Sequence, residues 1–144
     1  MTPMPAVAPT TLEGQIAEGQ KVYMSVCFAC HQPTGMGLPG MFPPLGGSDW
    51  VNAPKPDRII RFVLQGITGP LSLNGAPFNT PAPIMPPQGA VLNDSQIAWA
   101  LTYVRNSFGN KASAVTPEQV KAIRDSEKRA FPWTEADIKL IPDK

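Results

Sequence analysis

The stretch "VCFACHQ", residues 26–32, holds both cysteines of the 144-residue chain and its only histidine within five consecutive positions. Four chemistries use such a cluster: a metal clip, a redox dithiol, a disulfide, or the anchor of a covalent cofactor. Zinc needs a third and a fourth ligand, and no other Cys or His exists to supply them. A thioredoxin-like dithiol sits in a βαβ unit, and no such alternation surrounds Cys27 and Cys30. A disulfide closing so short a loop stabilises little. Cys-x-x-Cys-His is, by contrast, the attachment signature of c-type haem. Each thiol adds across a vinyl group, a helical turn sets the two sulfurs at the vinyl spacing, and the adjacent His31 is aimed under the iron as proximal ligand. Shuffling the composition would produce this order only about once in ten thousand tries.

Working outward, helical text precedes the motif. Leu12, Ile16, Gly19 or Gln20, and Tyr23 recur at helical spacing behind a cap at Thr11. Residues 32–54 carry so many prolines and glycines that no regular element is expected there. Residues 56–66 read as a short helix opened by Pro56 and Asp57 and stopped by Gly66; 67–92 read as another loop. The clearest helix has a capping-box pair, Asn93 and Gln96, an apolar stripe of Ile97, Ala100, Leu101 and Val104, and a stop at Gly109. Thr116, Pro117 and Gln119 open a further helix, and a last short one starts at Thr134. The expected organisation is a loose segment at 1–10, a domain at 11–110 and a helical extension at 111–144 packed on it. The fold class is all-α, with few helices and long loops ordered around one covalent haem.

Composition agrees with a single domain and narrows the partners. Eighteen prolines and twelve glycines imply long ordered loops between few helices. A net charge of +1 argues against nucleic acid and anionic membrane surfaces. No run of 18 apolar residues is present, so nothing here is expected to span a membrane. The opening "MTPMPAVAPTT", 1–11, lacks the basic and apolar regions of a signal peptide, and its "AVA", 6–8, is at most a weak trace of a cleavage site.

Haem iron takes a second axial ligand or keeps an open position. With no other histidine, the six methionines are the candidates. Met1 and Met4 lie in the loose terminus. Met24 precedes the motif by one turn, and Met36 and Met41 follow His31 so closely that they fall at its edge. Met85 remains, 54 residues beyond His31, in a loop stiffened by prolines on both sides. A methionine is generically core filler; here the absence of rivals favours a ligand. His31 and Met85 would close the iron to exogenous ligands and raise its potential, which suits electron transfer. A haem enzyme or gas sensor with an open sixth position stays as the alternative.

From Leu12 to Gly109 the chain resembles the class I cytochromes c. Gly19, Tyr23 and Cys27 stand at that family's spacing, and "FPPLGG", 42–47, matches its proline-leucine element. The resemblance implies that the Pro43 carbonyl accepts the His31 Nδ1–H bond, fixing the ring and its basicity. It also implies that the helix bearing Trp99 and Tyr103 crosses the first helix at Gly19, with Tyr103 beside the haem. "GLPGMFPPLGGSDW", "LNGAPFN" and "VRNSFGN" followed by a helical tail resemble a bacterial subset: periplasmic monohaem carriers or the cytochrome subunits of dehydrogenases. That implies haem c, a periplasmic location, a dehydrogenase as donor, and another cytochrome or a terminal oxidase as acceptor. The tail departs from the shorter members and is expected to pack over the domain. By the same analogy the Trp50 indole N–H reaches a haem propionate, with plain core packing as the equal alternative. Arg58 and Arg61 are further candidates for the propionates, against the commoner solvated role.

Charge placement adds one expectation. Residues 22–48 and 62–93 contain no Asp, Glu, Lys or Arg, and all 23 charges fall outside them. These two stretches bracket His31 and Met85, so a mainly apolar docking face is expected around the haem edge.

Overall fold

The computed structural model describes residues 3–79 and 84–144. The first two residues of the terminal segment, Met1 among them, and the prolines at 81 and 83 expected to brace Met85 lie outside the described residues. Residues 3–10 hold no helix or strand. Helix α1 (Leu12–Val22) begins where extended Thr11 turns its hydroxyl back to accept the Gly14 N–H at 3.0 Å. It runs on through a π-helical stretch, Tyr23–Cys27, into the short α2 (Phe28–His31). The wider π turn re-aims the side chains after it, and here it ends on the first cysteine of the motif. Gln32 leaves the helix with φ +67°, immediately past His31.

Helix α3 (Asp57–Gln65) starts after Pro56 and ends at Gly66, whose φ of +84° suits glycine. Helix α4 (Asp94–Arg105) carries the full capping box, Asn93 Oδ1 accepting from Gln96 N–H and Gln96 Oε1 accepting from Asn93 N–H, each at 2.9 Å. Helix α5 (Pro117–Ser126) repeats that device with Thr116 and Gln119, and Thr134 caps the four-residue α6 (Glu135–Ile138).

Two expectations need correction. The loop expected over 67–92 contains an antiparallel hairpin, β1 (Leu71–Leu73) and β2 (Ala76–Asn79), so the chain is helical without being purely α. The cause is local: Asn74 and Gly75 both take positive φ, the two-residue turn that Asn-Gly favours. The second correction shortens α4. It stops at Arg105 rather than at Gly109, because Phe108 takes φ +58° and turns its ring onto Tyr23 and Tyr103, at 5.5 and 5.6 Å.

Packing centres on α4, which is buried from Gln96 to Arg105. Its partner α1 approaches so closely that a Cβ built on Gly19 would stand 1.9 Å from the Trp99 carbonyl oxygen. Val120, Ile123, Trp133 and Ile138 of the 111–144 stretch sit in the same buried cluster as Ile60, Leu64, Ile97 and Leu101. Arg105, with no exposed surface, donates to the carbonyls of Val51, Ala53 and Ser113 and to the Ser113 hydroxyl. A guanidinium so enclosed is tolerable only because oxygens receive it on every side. No helix among the described residues is long and apolar enough to cross a membrane.

The crossing can be tested directly. Gly19→Ala forces α1 off the Trp99 carbonyl, with no flexible side chain able to give way. We expect a loss of at least about 3 kcal/mol in guanidinium unfolding; a loss below about 1 kcal/mol would show that the two backbones do not need this contact.

Candidate cofactor site

A cavity of about 900 Å³, counted with its mouth, lies between the Cys27–His31 segment, α3, the hairpin and α4. Its walls carry no Asp, Glu, Lys or Arg; Trp50, Phe62, Leu71, Ile97 and Leu101 are typical of them. Cys27, His31 and Met85 all stand at its edge. A smaller hollow of about 490 Å³ shares His31, Pro43, Ile67, Leu71 and Met85 with it and adds Cys30. The sequence-predicted ligands and anchors are thus brought to one place, although the chain separates His31 from Met85 by 54 residues.

Each of these groups is positioned by an identifiable contact. The Cys27–Cys30 pair spans a helical turn, and both thiols are free rather than joined to each other. Burial, and secondarily the neighbouring Cys30, pushes the Cys27 thiol up to about 11. Tyr23 O–H donates to the Gln32 carbonyl at 2.5 Å, tying the start of the π-helical stretch to the residue just past His31. His31 Nδ1 lies 3.1 Å from the Pro43 carbonyl oxygen. A carbonyl only accepts, so Nδ1 carries the proton and Nε2 keeps its lone pair for a ligand role. Burial lowers the His31 pKa, against the opposing effect of the Pro43 bond, and favours the neutral ring that binds metals. Pro43 reaches His31 because the loop doubles back at Gly37, which has φ +61° and lies so close to the Phe42 carbonyl that a Cβ would collide with it. Gly37 N–H also donates to the His31 carbonyl at 2.9 Å.

Met85 is fixed through its backbone. Its N–H and C=O exchange hydrogen bonds with Ile67, at 2.9 and 3.1 Å. Gly66 makes room for this pairing, since a Cβ there would come within 2.5 Å of the Met85 carbonyl oxygen. Met41 borders only the smaller hollow, and Met24 and Met36 border neither; all three are at least 42% exposed.

The remaining predicted residues divide differently. Trp50 lines the cavity and packs on Phe62, and its indole N–H donates to the Ser72 carbonyl at 2.7 Å. Tyr103 does not border the cavity. It stacks one layer out on Tyr23, at 5.4 Å, while Ala100, Leu101 and Val104 supply the lining from α4. Arg58 is bound to the carbonyls of Lys139 and Ile141 and to Asp143, and Arg61 to Glu127; neither lines the cavity. The sequence pointed to Tyr23 only by its spacing; its bond to Gln32 required the fold. Among the described residues no three His, Cys, Asp or Glu side chains gather at one point. An apolar cavity edged by the Cys27 thiol, a neutral imidazole and a thioether, with Cys30 at the adjoining hollow, fits a haem attached through thioethers.

Comparison with known proteins gives the same class. The family described as cytochrome c oxidase, cbb3-type, subunit III matches residues 14–104. The cytochrome c subunit of gluconate 2-dehydrogenase from Pantoea cypripedii is 37% identical over 128 residues, covering 85% of this chain and 27% of that protein. The cytochrome c subunit of a quinone alcohol dehydrogenase from Gluconacetobacter polyoxogenes is 34% identical, over 85% and 26% of the two chains. The chain therefore spans about a quarter of the length of these dehydrogenase subunits. Cytochrome c-552 of Thermus thermophilus is 31% identical over 116 residues, which are 75% of this chain and 85% of that one. With a family match across most of the chain and a relative aligned over most of its own length, the chain belongs to the class I monohaem cytochromes c, electron-transfer proteins with a covalently bound haem c.

Proposed function

We propose that this cytochrome passes single electrons through an iron ligated by His31 Nε2 and Met85 Sδ, with Cys27 and Cys30 as the two thioether anchors. The observation that carries the reading is the meeting of His31 and Met85 at one uncharged cavity, each pinned by its own hydrogen bonds. The haem supplies a one-electron couple when bound; the protein's part is to set its surroundings. Pro43 holds the His31 ring and strengthens it as a donor, and the Ile67 pairing holds Met85 in place. The apolar walls keep water and counter-charge away, which disfavours the more highly charged oxidised state and raises the potential. Residues 11–110 are read as the class I cytochrome c domain, with 111–144 as a helical extension packed on it.

The direction of flow is read from the relatives. Several are cytochrome subunits of sugar or alcohol dehydrogenases, which supports a periplasmic dehydrogenase as donor. The matched family's description names an oxidase subunit, which supports a terminal oxidase or another cytochrome as acceptor. A periplasmic location is the reading that suits both partners and the covalent attachment. The exposed apolar residues Phe28, Leu38, Met41 and Ile84 fall in the two charge-free stretches, and we assign the face through which electrons leave to these stretches.

The ligand assignment is tested by Met85→Ala. The variant should lose the methionine-to-iron band in the near infrared, bind CO in the ferrous state, and fall in potential by on the order of 0.1 V. Persistence of the band would transfer the role to Met41 or Met36. The docking face makes a separate prediction. Between about 0.01 and 0.15 M ionic strength the Debye length falls from about 30 to about 8 Å, yet the electron-transfer rate with the partner should change less than about two-fold. A ten-fold fall would place the docking on charged residues instead.

A further inference from the structure

The 111–144 stretch reaches the loop that carries Met85 in two ways, directly through Arg124 and by way of Ile67 through Trp133. Ile67 is paired on one side with Met85 and on the other with Trp133: Trp133 N–H donates to the Gly66 carbonyl at 2.9 Å, and Thr68 N–H donates to the Trp133 carbonyl at 2.8 Å. The result is a single rung of three chains, Met85 to Ile67 to Trp133. Trp133 is itself held firmly. It is 6% exposed, its indole N–H donates to Gln65 Oε1 at 2.5 Å, and the Arg129 guanidinium covers its ring at 4.4 Å. The far end of the same loop is gripped by Arg124 of α5. Its Nη1 donates to the Gly89 carbonyl at 2.6 Å, its Nη2 to the Leu92 carbonyl at 2.9 Å, and its Nε to Asp94 at 2.7 Å. Gln88 and Gly89 N–H groups join the middle of the loop to α3 through Val63 and Leu64 carbonyls.

We infer that Trp133 and Arg124 are positioning residues for the sixth ligand: the extension clamps the Met85 loop at both ends and sets how often Met85 leaves the iron. The inference rests on the reading of Met85 as a ligand. The physical ground is that a thioether is a weak ligand carried on a loop, and loops open locally far more often than cores do. Residues 84–93 form neither helix nor strand beyond the single pairing with Ile67, so the opening frequency depends on what grips the loop from outside. The Arg124 fork is charge-assisted and closes on two carbonyls and a carboxylate at once, a contact water cannot match without releasing all three.

The test uses the full haem-loaded protein with Arg124→Gln and Trp133→Ala. Amide hydrogen exchange should rise about ten-fold or more at Met85, Gly89 and Leu92 while α1 and α4 amides keep their protection. In parallel, ferric protein mixed with excess cyanide should bind it about ten-fold faster, because cyanide waits for Met85 to leave. Should Trp133→Ala fail to fold, Arg124→Gln carries both measurements, since its side chain is partly exposed. Unchanged loop exchange, or an equal rise in α1 and α4, would overturn the clamp and leave the extension as general packing. The Met85→Ala variant separates the two ideas. If it binds cyanide no faster than the parent, the ligand reading fails, whereas the exchange measurement still reports on the clamp.

Discussion

The constraint on which the structure turns is that His31 and Met85, 54 residues apart in the chain, must border one apolar cavity. Neither side chain is held by a regular element alone. His31 ends a helix and takes its orientation from the Pro43 carbonyl, which is available only because the intervening loop folds back at Gly37. Met85 sits between loops and takes its position from Ile67, which is available only because Gly66 ends α3 with no side chain in the way. Two glycines at positive φ therefore decide where His31 and Met85 stand, and the walls of the cavity come from α3 and α4 packed behind them.

Arginine has an unexpected part in this. Arg58, Arg61, Arg105 and Arg124 each tie the body of the molecule to residues 111–144 or the reverse, mostly through backbone carbonyls. Such forks fix geometry in a way that the exposed Lys121–Asp125 pair does not, because there both long side chains face water and the attraction is screened. The cavity, by contrast, is left without a charged wall.

How much of this the sequence disclosed follows the range of the interactions. The caps at Thr11, Asn93, Thr116 and Thr134 were legible because a cap is a contract among four or five consecutive residues. The Cys27, Cys30 and His31 cluster was legible for the same reason. The hairpin was missed although Asn74–Gly75 is a strong local signal; the surrounding prolines and glycines masked it as loop. The end of α4 was misplaced because Phe108 answers to Tyr23, some 85 residues away, rather than to Gly109 beside it. Trp50, Arg58 and Arg61 could be assigned to a propionate only by analogy. The bonds they make to Ser72, Asp143 and Glu127 are long-range contacts that no spacing announces.

The central claim is that Met85 Sδ faces the iron, and nuclear magnetic resonance of the reduced haem protein tests it most directly. With the methionine methyls carbon-13 labelled and assigned by single substitutions, the ligand methyl lies over the haem ring and moves far upfield of the others. The account predicts one such methyl, belonging to Met85, with those of Met24, Met36 and Met41 near their ordinary positions. An upfield methyl assigned to Met41 or Met36, or none at all, would contradict it.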